Sequence, residues 1–242
     1  MRFEKNGSRQ SVVKPGDPAH LELEYLRVAL IGLALARHPP QRILVVGLGG
    51  GSLPVFLHQT FAAVDVDVAE IDPTVLRVAQ RFFGVRPDQR LVVHLGDGRA
   101  FIERAAPSSY DLIFIDAFGA RGMPPQFTTQ EFFKAVRSAL RPDGVAVTNL
   151  WGPDLNTRYH DQLATQATVF DALQLVYTPN DVNVLVFGLP RSERIARDAL
   201  AIRARALGKT LALRFDPGLF VDTAWLESGR ALMNGRVLHD SR

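Results

Sequence analysis

Three carboxylates in this chain each stand at the end of an apolar run, the place where a parallel strand delivers its last side chain into a ligand crevice. Glu70 ends VDVDVAE, Asp97 follows LVVHLG, and Asp116 closes DLIFID. A carboxylate at the end of a second strand commonly accepts hydrogen bonds from ribose hydroxyls. One flanked by glycines, as in Gly96-Asp97-Gly98, can take a hydrogen bond from an exocyclic amine, or simply cap the next helix. Asp116 closes a nearly all-apolar strand and should project into the crevice. Ahead of all three lies ILVVGLGGGSLP, residues 43–54, in which Gly47, Gly49, Gly50 and Gly51 interrupt an apolar strand. Glycine is needed where the backbone takes positive φ or approaches a ligand closely, and the helix after such a turn presents free N–H groups. A glycine run that only turns the chain is the alternative. Glu70 lies nineteen residues past Gly51, the spacing a nucleoside site requires.

Elements that would position these groups follow from periodicity. Residues 18–37 read as a helix with Leu23, Leu26, Leu30 and Leu33 on its apolar face, ended by His38-Pro39-Pro40. Tyr25 and Arg27 sit on it, just ahead of the glycine strand. Strands are expected at 43–46, 64–71, 91–95, 111–116 and 145–150, with helices at 53–60, 73–82, 99–105 and 129–140 between them. Asp72-Pro73 is a natural helix start, the Asp as cap, and Thr128 is the expected cap of the helix at 129–140. The loop AFGARGMPPQ, residues 117–126, is long and rich in Gly and Pro, as an acceptor pocket or lid would be. Phe118 on it, and Trp151 after the fifth strand, are acceptor-site candidates together with Tyr25. A helix is expected near 156–170. The runs 173–178 and 182–188 are separated only by Pro179-Asn180-Asp181, so they must pair antiparallel. A final helix spans 191–207.

The fold class is therefore α/β: a seven-stranded, mostly parallel sheet with a terminal antiparallel pair. Residues 1–40 form an N-terminal hairpin and helix extension, 41–207 the nucleoside-binding domain, and 208–242 a tail packing on it or extending it. At 242 residues and 47% hydrophobic content the chain supports one large core. It has no cysteine, which removes disulfides, a thiolate nucleophile and cysteine-type zinc sites and fits the cytoplasm. The six histidines show no metal-ligand spacing. A net charge of +3 is too small for a nucleic-acid footprint. Arg191, Arg194, Arg197, Arg203 and Arg205 read as a solvated helix face. No apolar run approaches the roughly 18 residues that span a bilayer, so neither membrane nor nucleic acid is an expected partner.

Taken together, Gln10-Ser11, Tyr25, the loop from Gly47 to Gly51, Glu70-Ile71-Asp72, Gly96-Asp97-Gly98 and Asp116 resemble the spermidine synthase-like branch of the class I AdoMet-dependent transferases, over residues 2–189. The resemblance implies a Rossmann-like methyltransferase fold and a likeness to homodimeric proteins. It implies that Gln10, Gly47, Gly49, Gly50, Gly51, Glu70, Asp72, Asp97 and Gly98 contact S-adenosylmethionine or its decarboxylated form, and that Asp116 deprotonates the attacking amine.

Departures from the aminopropyl-transferring members fall where charge matters. Their glycine loop carries an Asp, and a second Asp follows the catalytic one by three residues; here the loop reads GLGGGS and the second position is Gly119. Polycations are recognised by carboxylates, so this loss argues against a polyamine acceptor. Arg27 stands near a position where the family often has Glu, and a guanidinium suits a cofactor that keeps its carboxylate. The stretches VGLGGGSLPVFLH and AEIDPTVLRVAQRFFG resemble the C-terminal domain of eukaryotic methyltransferases acting on the N-terminal amine of elongation factor 1-alpha. Methyl transfer from AdoMet to a small-molecule or protein amine is thus the leading expectation, and aminopropyl transfer the alternative. A non-catalytic nucleoside-binding or assembly protein on the same fold is the reading from another class. A nicotinamide-dependent oxidoreductase leaves the Gly96-Asp97-Gly98 turn and the antiparallel pair without a purpose.

Overall fold

The computed structural model describes residues 11–14, 16–17, 19–119, 122–178, 183–192, 195–226 and 234–241. Elements follow one another as α1 (Glu24–Ala29), α2 (Ile31–Leu35), β1 (Arg42–Val46), α3 (Ser52–Thr60), β2 (Asp65–Glu70), α4 (Pro73–Phe82), β3 (Leu91–Leu95), α5 (Gly98–Glu103) and β4 (Tyr110–Ile115). A 3-10 turn at Pro125–Phe127 leads to α6 (Gln130–Ala139), β5 (Leu140–Trp151), α7 (Tyr159–Ala167), β6 (Ala172–Thr178), β7 (Asn183–Leu189), α8 (Arg197–Thr210), α9 (Pro217–Ala224) and β8 (Trp225–Leu226). All strands join one sheet in the order β3-β2-β1-β4-β5-β7-β6-β8. The first five are parallel, and β7 runs antiparallel to both β5 and β6. This is the seven-stranded mixed sheet anticipated from the sequence, with a two-residue edge strand, β8, added by the tail.

Burial on both faces explains why the central strands read as unbroken apolar runs. In β1, Ile43, Leu44, Val45 and Val46 are all buried, alternately against the helices on the two sides. The chain order β1, β2, β3 runs outward to one edge, and β4 then returns to the other flank of β1. That reversal opens a crevice at the carboxyl ends of β1 and β4. Register places Val46 beside Ile115, so Gly47 and Asp116 emerge side by side. A Cβ on Gly47, whose φ is +99°, would stand 2.5 Å from the Asp116 carbonyl oxygen. Only glycine fits there.

Below the crevice, Asp67 is a buried acid in the middle of β2. Its carboxylate is met by Arg42 Nε at 2.8 Å, His94 Nε2 at 2.7 Å and the Tyr110 hydroxyl at 3.1 Å, so one acid draws four neighbouring strands together. Its burial is tolerable because its acceptor sites are filled. Burial and this carboxylate push the Tyr110 hydroxyl above its ordinary range.

Several boundaries differ from the sequence reading. The single helix expected at 18–37 is two short ones meeting at Leu30, where Leu30 N bonds Arg27 O and Leu33 N bonds Leu30 O in three-residue steps. The tightened joint sets Gly32 against β5, where a Cβ would meet Val147 Cγ2 at 2.7 Å. Thr129, not Thr128, caps α6 by accepting from Phe132 N. Residues 141–144, which separate the helix and the strand expected at 129–140 and 145–150, are drawn into β5, with a register irregularity opposite Tyr110 and Leu112. Helix α8 starts at Arg197 rather than 191, so Arg191 is not on its face; its guanidinium donates to the carbonyls of Gly144 and Leu35. Gln10 and the first arm of the expected N-terminal hairpin lie outside the described residues, and Ser11 to Val13, expected in its second arm, are in no strand. Among the described residues no helix is long and apolar enough to cross a membrane.

After β8, residues 234–241 run as a strap over α5, α6 and α7. Leu238 is buried and bonds through its backbone to Gln130 N at 2.8 Å and Thr165 Oγ1 at 2.9 Å. Asp240 takes a fork of two bonds from Arg99, at 2.7 and 2.5 Å, and Arg99 also donates to Gln126 O at 3.1 Å. The strap thereby braces the first turn of α5 and the loop ahead of α6. Its entry is tight: a Cβ on Gly235 would lie 2.2 Å from His160 O. Gly235→Ala should lift the strap and cost roughly 1–3 kcal/mol of stability, the usual range for overpacking. Hydrogen exchange at Leu238 and Gln130 checks this; wild-type protection of both amides in the variant would refute it.

Candidate active site

The crevice holds a cavity of about 560 Å³, within the ordinary range for a small-molecule site. Its floor is the glycine loop. Gly47 and Gly49 line it, while Gly50 and Gly51 lie behind them as packing positions: a Cβ on Gly50 would strike Ser11 and Phe83, and one on Gly51, at φ +80°, would strike Val85. Gly50 N donates to Ser11 Oγ at 2.6 Å, which fastens the segment ahead of the domain onto the loop. Gly51 is the left-handed N-cap of α3.

Glu70 is buried, and both of its oxygens are oriented by backbone N–H groups: Leu48 N at 3.0 Å and Asp72 N at 2.8 Å. A carboxylate oxygen carries more than one acceptor site, so the pair that fixes Glu70 still leaves capacity for two vicinal hydroxyls. Asp97 lines the cavity and caps α5, accepting from Ala100 N at 2.9 Å; capping and ligand binding are compatible. Beside it, Gly98 lets the start of α5 pack closely on β1, since a Cβ there would meet Val46 Cγ1 at 2.6 Å. Asp72 stands apart from the cavity lining. It is the exposed cap of α4, held by Thr74 N at 2.7 Å, and that backbone donor keeps its carboxyl below the usual range.

Asp116 is half-buried at the far wall, and both of its oxygens are occupied. Tyr25 Oη donates to Oδ2 at 3.0 Å and Asn149 Nδ2 to Oδ1 at 2.8 Å. Asn149 Oδ1 in turn accepts from Asn183 Nδ2 at 2.7 Å. Desolvation by the surrounding protein outweighs these two donors and pushes the Asp116 carboxyl up to about 6. Tyr25 therefore bonds the candidate base directly. Beyond Asp116 the wall turns aromatic: the Phe118 and Trp151 rings lie 5.5 Å apart. Gly119 and Gly122 pinch the loop by exchanging backbone bonds of 2.9 and 3.2 Å, and Gly122 packs on the Trp151 ring.

Arg27 is turned elsewhere. Its Nε donates to Leu21 O at 2.6 Å and its guanidinium lies over the Phe215 ring, 5.6 Å from the centroid; it is not among the residues lining the cavity. Among the described residues that do line it, Glu70, Asp97 and Asp116 are acidic and none is Lys, Arg or His. Such a cleft favours cationic ligands and disfavours phosphates and carboxylic acids.

Sequence reasoning passed over Asn149 and Asn183. The signal for Asn149 was present: a polar residue near the end of the apolar strand VAVTNLW, the same signature that singled out Asp116. Asn183 borders the turn between the antiparallel strands, where polar residues are too common to stand out.

Comparison with known proteins agrees with this geometry. The family model described as "Spermine/spermidine synthase domain" matches residues 25–180. The chain is 36% identical over 213 residues to the human eEF1A lysine and N-terminal methyltransferase, covering 81% of this chain and 30% of that protein; it thus spans less than a third of that relative's length. It is 30% identical over 238 residues to a polyamine aminopropyltransferase of Vibrio vulnificus, covering 94% of this chain and 79% of the relative. Among solved structures, human methyltransferase-like protein 13 in complex with SAH superposes with a TM-score of 0.73 at 35% identity, covering 80% of this chain and 94% of that one. A probable spermidine synthase from Corynebacterium glutamicum shares the fold, with a TM-score of 0.72 at 23% identity, covering 93% and 83% of the two chains. The match of residues 25–180 contains the glycine loop and all three cleft carboxylates, and on that ground the chain belongs to the spermine/spermidine synthase family.

Proposed function

We propose that this protein transfers a methyl group from S-adenosylmethionine to an amine, with Asp116 as the base that receives the amine's proton. The observation that carries the reading is Asp116 itself: a carboxylate whose two oxygens are fixed by Tyr25 and Asn149, in the same cavity as Glu70 and the glycine loop. Support for the cofactor comes from the fit of the residues. Glu70 is oriented for two hydroxyls, Asp97 for an amine edge, Gly47, Gly49 and Gly98 line the cavity without side chains, and three carboxylates without a basic neighbour among the described lining residues suit a sulfonium. Bound AdoMet would supply a methyl carbon already activated by positive sulfur.

The protein's work is then to align the amine and free its lone pair. An incoming ammonium is drawn to Asp116, its stem lies against Phe118 and Trp151, and the lone pair is exposed as the proton passes to the carboxylate. With AdoMet bound, the freed lone pair would take up the methyl group and the electrons of the broken carbon–sulfur bond would remain on sulfur. A lysine amine, with a reference pKa of about 10.4, gives up its proton less readily than an α-amine at about 7.7–8.0, and a base held near 6 suits the latter better. The acceptor side also weighs against a diamine. Neither the glycine loop nor Gly119 supplies the extra carboxylates, and Gly119 faces open space, since a Cβ added there would have no neighbour closer than Gly122 O at 3.7 Å.

One observation favours the aminopropyl alternative. With Arg27 bonded to Leu21 O, the described lining residues offer no cation to the cofactor's carboxylate, a group that decarboxylated AdoMet lacks. The relatives named above include both chemistries, and the missing acceptor-side carboxylates decide us for methyl transfer. We place the protein in the cytoplasm on its cysteine-free composition and expect a homodimer from the family resemblance.

Transfer of labelled methyl from AdoMet to a panel of peptides with free α-amines, lysine peptides and diamines tests the reading. Asp116→Asn should lower the rate by about 10²–10⁴-fold, the range of general base catalysis, with AdoMet affinity changed less than about threefold; near-wild-type turnover in the variant would remove Asp116 from the role. In the wild type, kcat/KM should fall about tenfold per pH unit below 6, as the carboxylate takes up its proton. A rate flat from pH 5 to 7 would contradict a base of this kind.

The same shift makes Asp116 a liability to the fold. Its folded value lies above the unfolded 3.8, so the cost is absent at lower pH, grows as pH rises from about 4 through about 6, and is fully present at neutrality. Asp116→Asn should therefore stabilise the protein by roughly 1–3 kcal/mol at pH 7 and not at pH 3.5. Denaturant unfolding at the two pH values checks this, and equal effects at both would refute it.

A further inference from the structure

We infer that Asn183 is a positioning residue for Asp116: acting through Asn149, it fixes which amide atom faces the carboxylate and so favours the ionised base. The inference rests on the role proposed for Asp116, but it concerns a property of the carboxyl that exists without turnover.

The Asn149 amide could in principle stand either way round. An ionised carboxylate only accepts, so it requires the NH₂ group. Were the amide reversed, its oxygen would stand 2.8 Å from Asp116 Oδ1, and two acceptors at that distance are compatible only if the acid keeps a proton to donate. The direction of Asn149 and the protonation of Asp116 are therefore linked, and whatever sets the first biases the second.

Asn183 sets it. Its Nδ2 donates to Asn149 Oδ1 at 2.7 Å, which holds that oxygen away from Asp116 and turns the NH₂ toward it. Asn183 is itself anchored independently of its side chain: its backbone N donates to Thr178 Oγ1 at 2.9 Å and its O accepts from the same hydroxyl at 3.0 Å. Thr178 and Asn183 are register partners at the turn end of the β6–β7 pair, and Asn183 faces Trp151 across β5–β7. All three polar residues are buried: Thr178 at 0%, Asn149 at 5% and Asn183 at 7% exposure. The antiparallel pair thus reaches the base through two amides in series.

Other groups near Asp116 do not supply this bias. Tyr25 from α1 donates to Oδ2 and not to the amides. Glu70 from β2 and Asp97 ahead of α5 are the other charged groups lining the cavity among the described residues, and each is held by backbone N–H donors. Both being acidic, they oppose ionisation of Asp116 rather than assist it.

The test is a pH titration of the Asp116 carboxyl carbon by NMR in protein labelled with carbon-13 at aspartate Cγ, the signal assigned through its absence in Asp116→Asn. Asn149→Leu removes the direct donor and should raise the midpoint by about one unit. Asn183→Leu, which leaves the Asp116 donors in place and the backbone bonds to Thr178 intact, should raise it by about half a unit. The double variant should titrate no higher than Asn149→Leu alone, because the two amides act as one path. An unmoved midpoint in Asn183→Leu would overturn the inference, as would single shifts that add in the double variant. Neither result bears on whether Asp116 is the base, which the Asp116→Asn turnover measurement decides separately.

Discussion

A carboxylate that must stay charged in a half-buried place is the constraint around which this structure is arranged. Water would solvate Asp116 at no structural cost; the crevice replaces it with one phenol and one amide, and burial still wins, leaving the acid near 6. That compromise is useful to catalysis. A fully solvated aspartate is too weak a base to take a proton from an amine, whereas a partly desolvated one gains proton affinity while remaining ionised at neutral pH. Tyr25, Asn149 and, behind it, Asn183 are the groups that keep the compromise in place.

Sheet topology brings these groups together from distant parts of the chain. Strand order reverses between β1 and β4, so Gly47 and Asp116 become neighbours although 69 residues separate them in sequence. Helix α1 delivers Tyr25 from ahead of the sheet, and β5 with β7 delivers the amides from beyond it. On the proposed reading the cavity divides by function: Glu70, Asp97 and the glycine loop would form a nucleoside end, and Phe118, Trp151 and Gly119 an acceptor end, with Asp116 at the boundary.

Much of this was legible from the sequence because it rests on local chemistry. Strand-end carboxylates, the glycine run and the Asp72-Pro73 cap each announce themselves in a few residues, and the short break at 179–181 sufficed to give the antiparallel pair. What was not legible depends on direction in space. The place of Arg27 in the chain points to the cofactor, but one turn of helix decides where a side chain points, and its Nε lies on Leu21 O. The expected helix at 18–37 broke at Leu30 because docking Gly32 against Val147 outweighed a continuous apolar periodicity. Asn183 matters only through Asn149, to which it donates across two strands, and such a pairing leaves no mark in the segment that carries Asn183. The strap at 234–241 carries no periodicity at all; its position follows from Leu238, Asp240 and the absence of a side chain at Gly235.

The acceptor end favours methyl transfer, while the missing cation beside the cofactor's carboxylate pulls the other way, and a single comparison separates the two. Calorimetric binding of AdoMet and of decarboxylated AdoMet to the same protein measures whether the cleft recognises the carboxylate that distinguishes them. Because the described lining residues offer that carboxylate no cation, the account predicts AdoMet binding within about tenfold of the decarboxylated form, about 1.4 kcal/mol, together with methyl transfer from AdoMet to an amine. Binding of the decarboxylated form alone, with aminopropyl transfer from it, would contradict the account and make this chain an aminopropyltransferase despite its neutral acceptor wall.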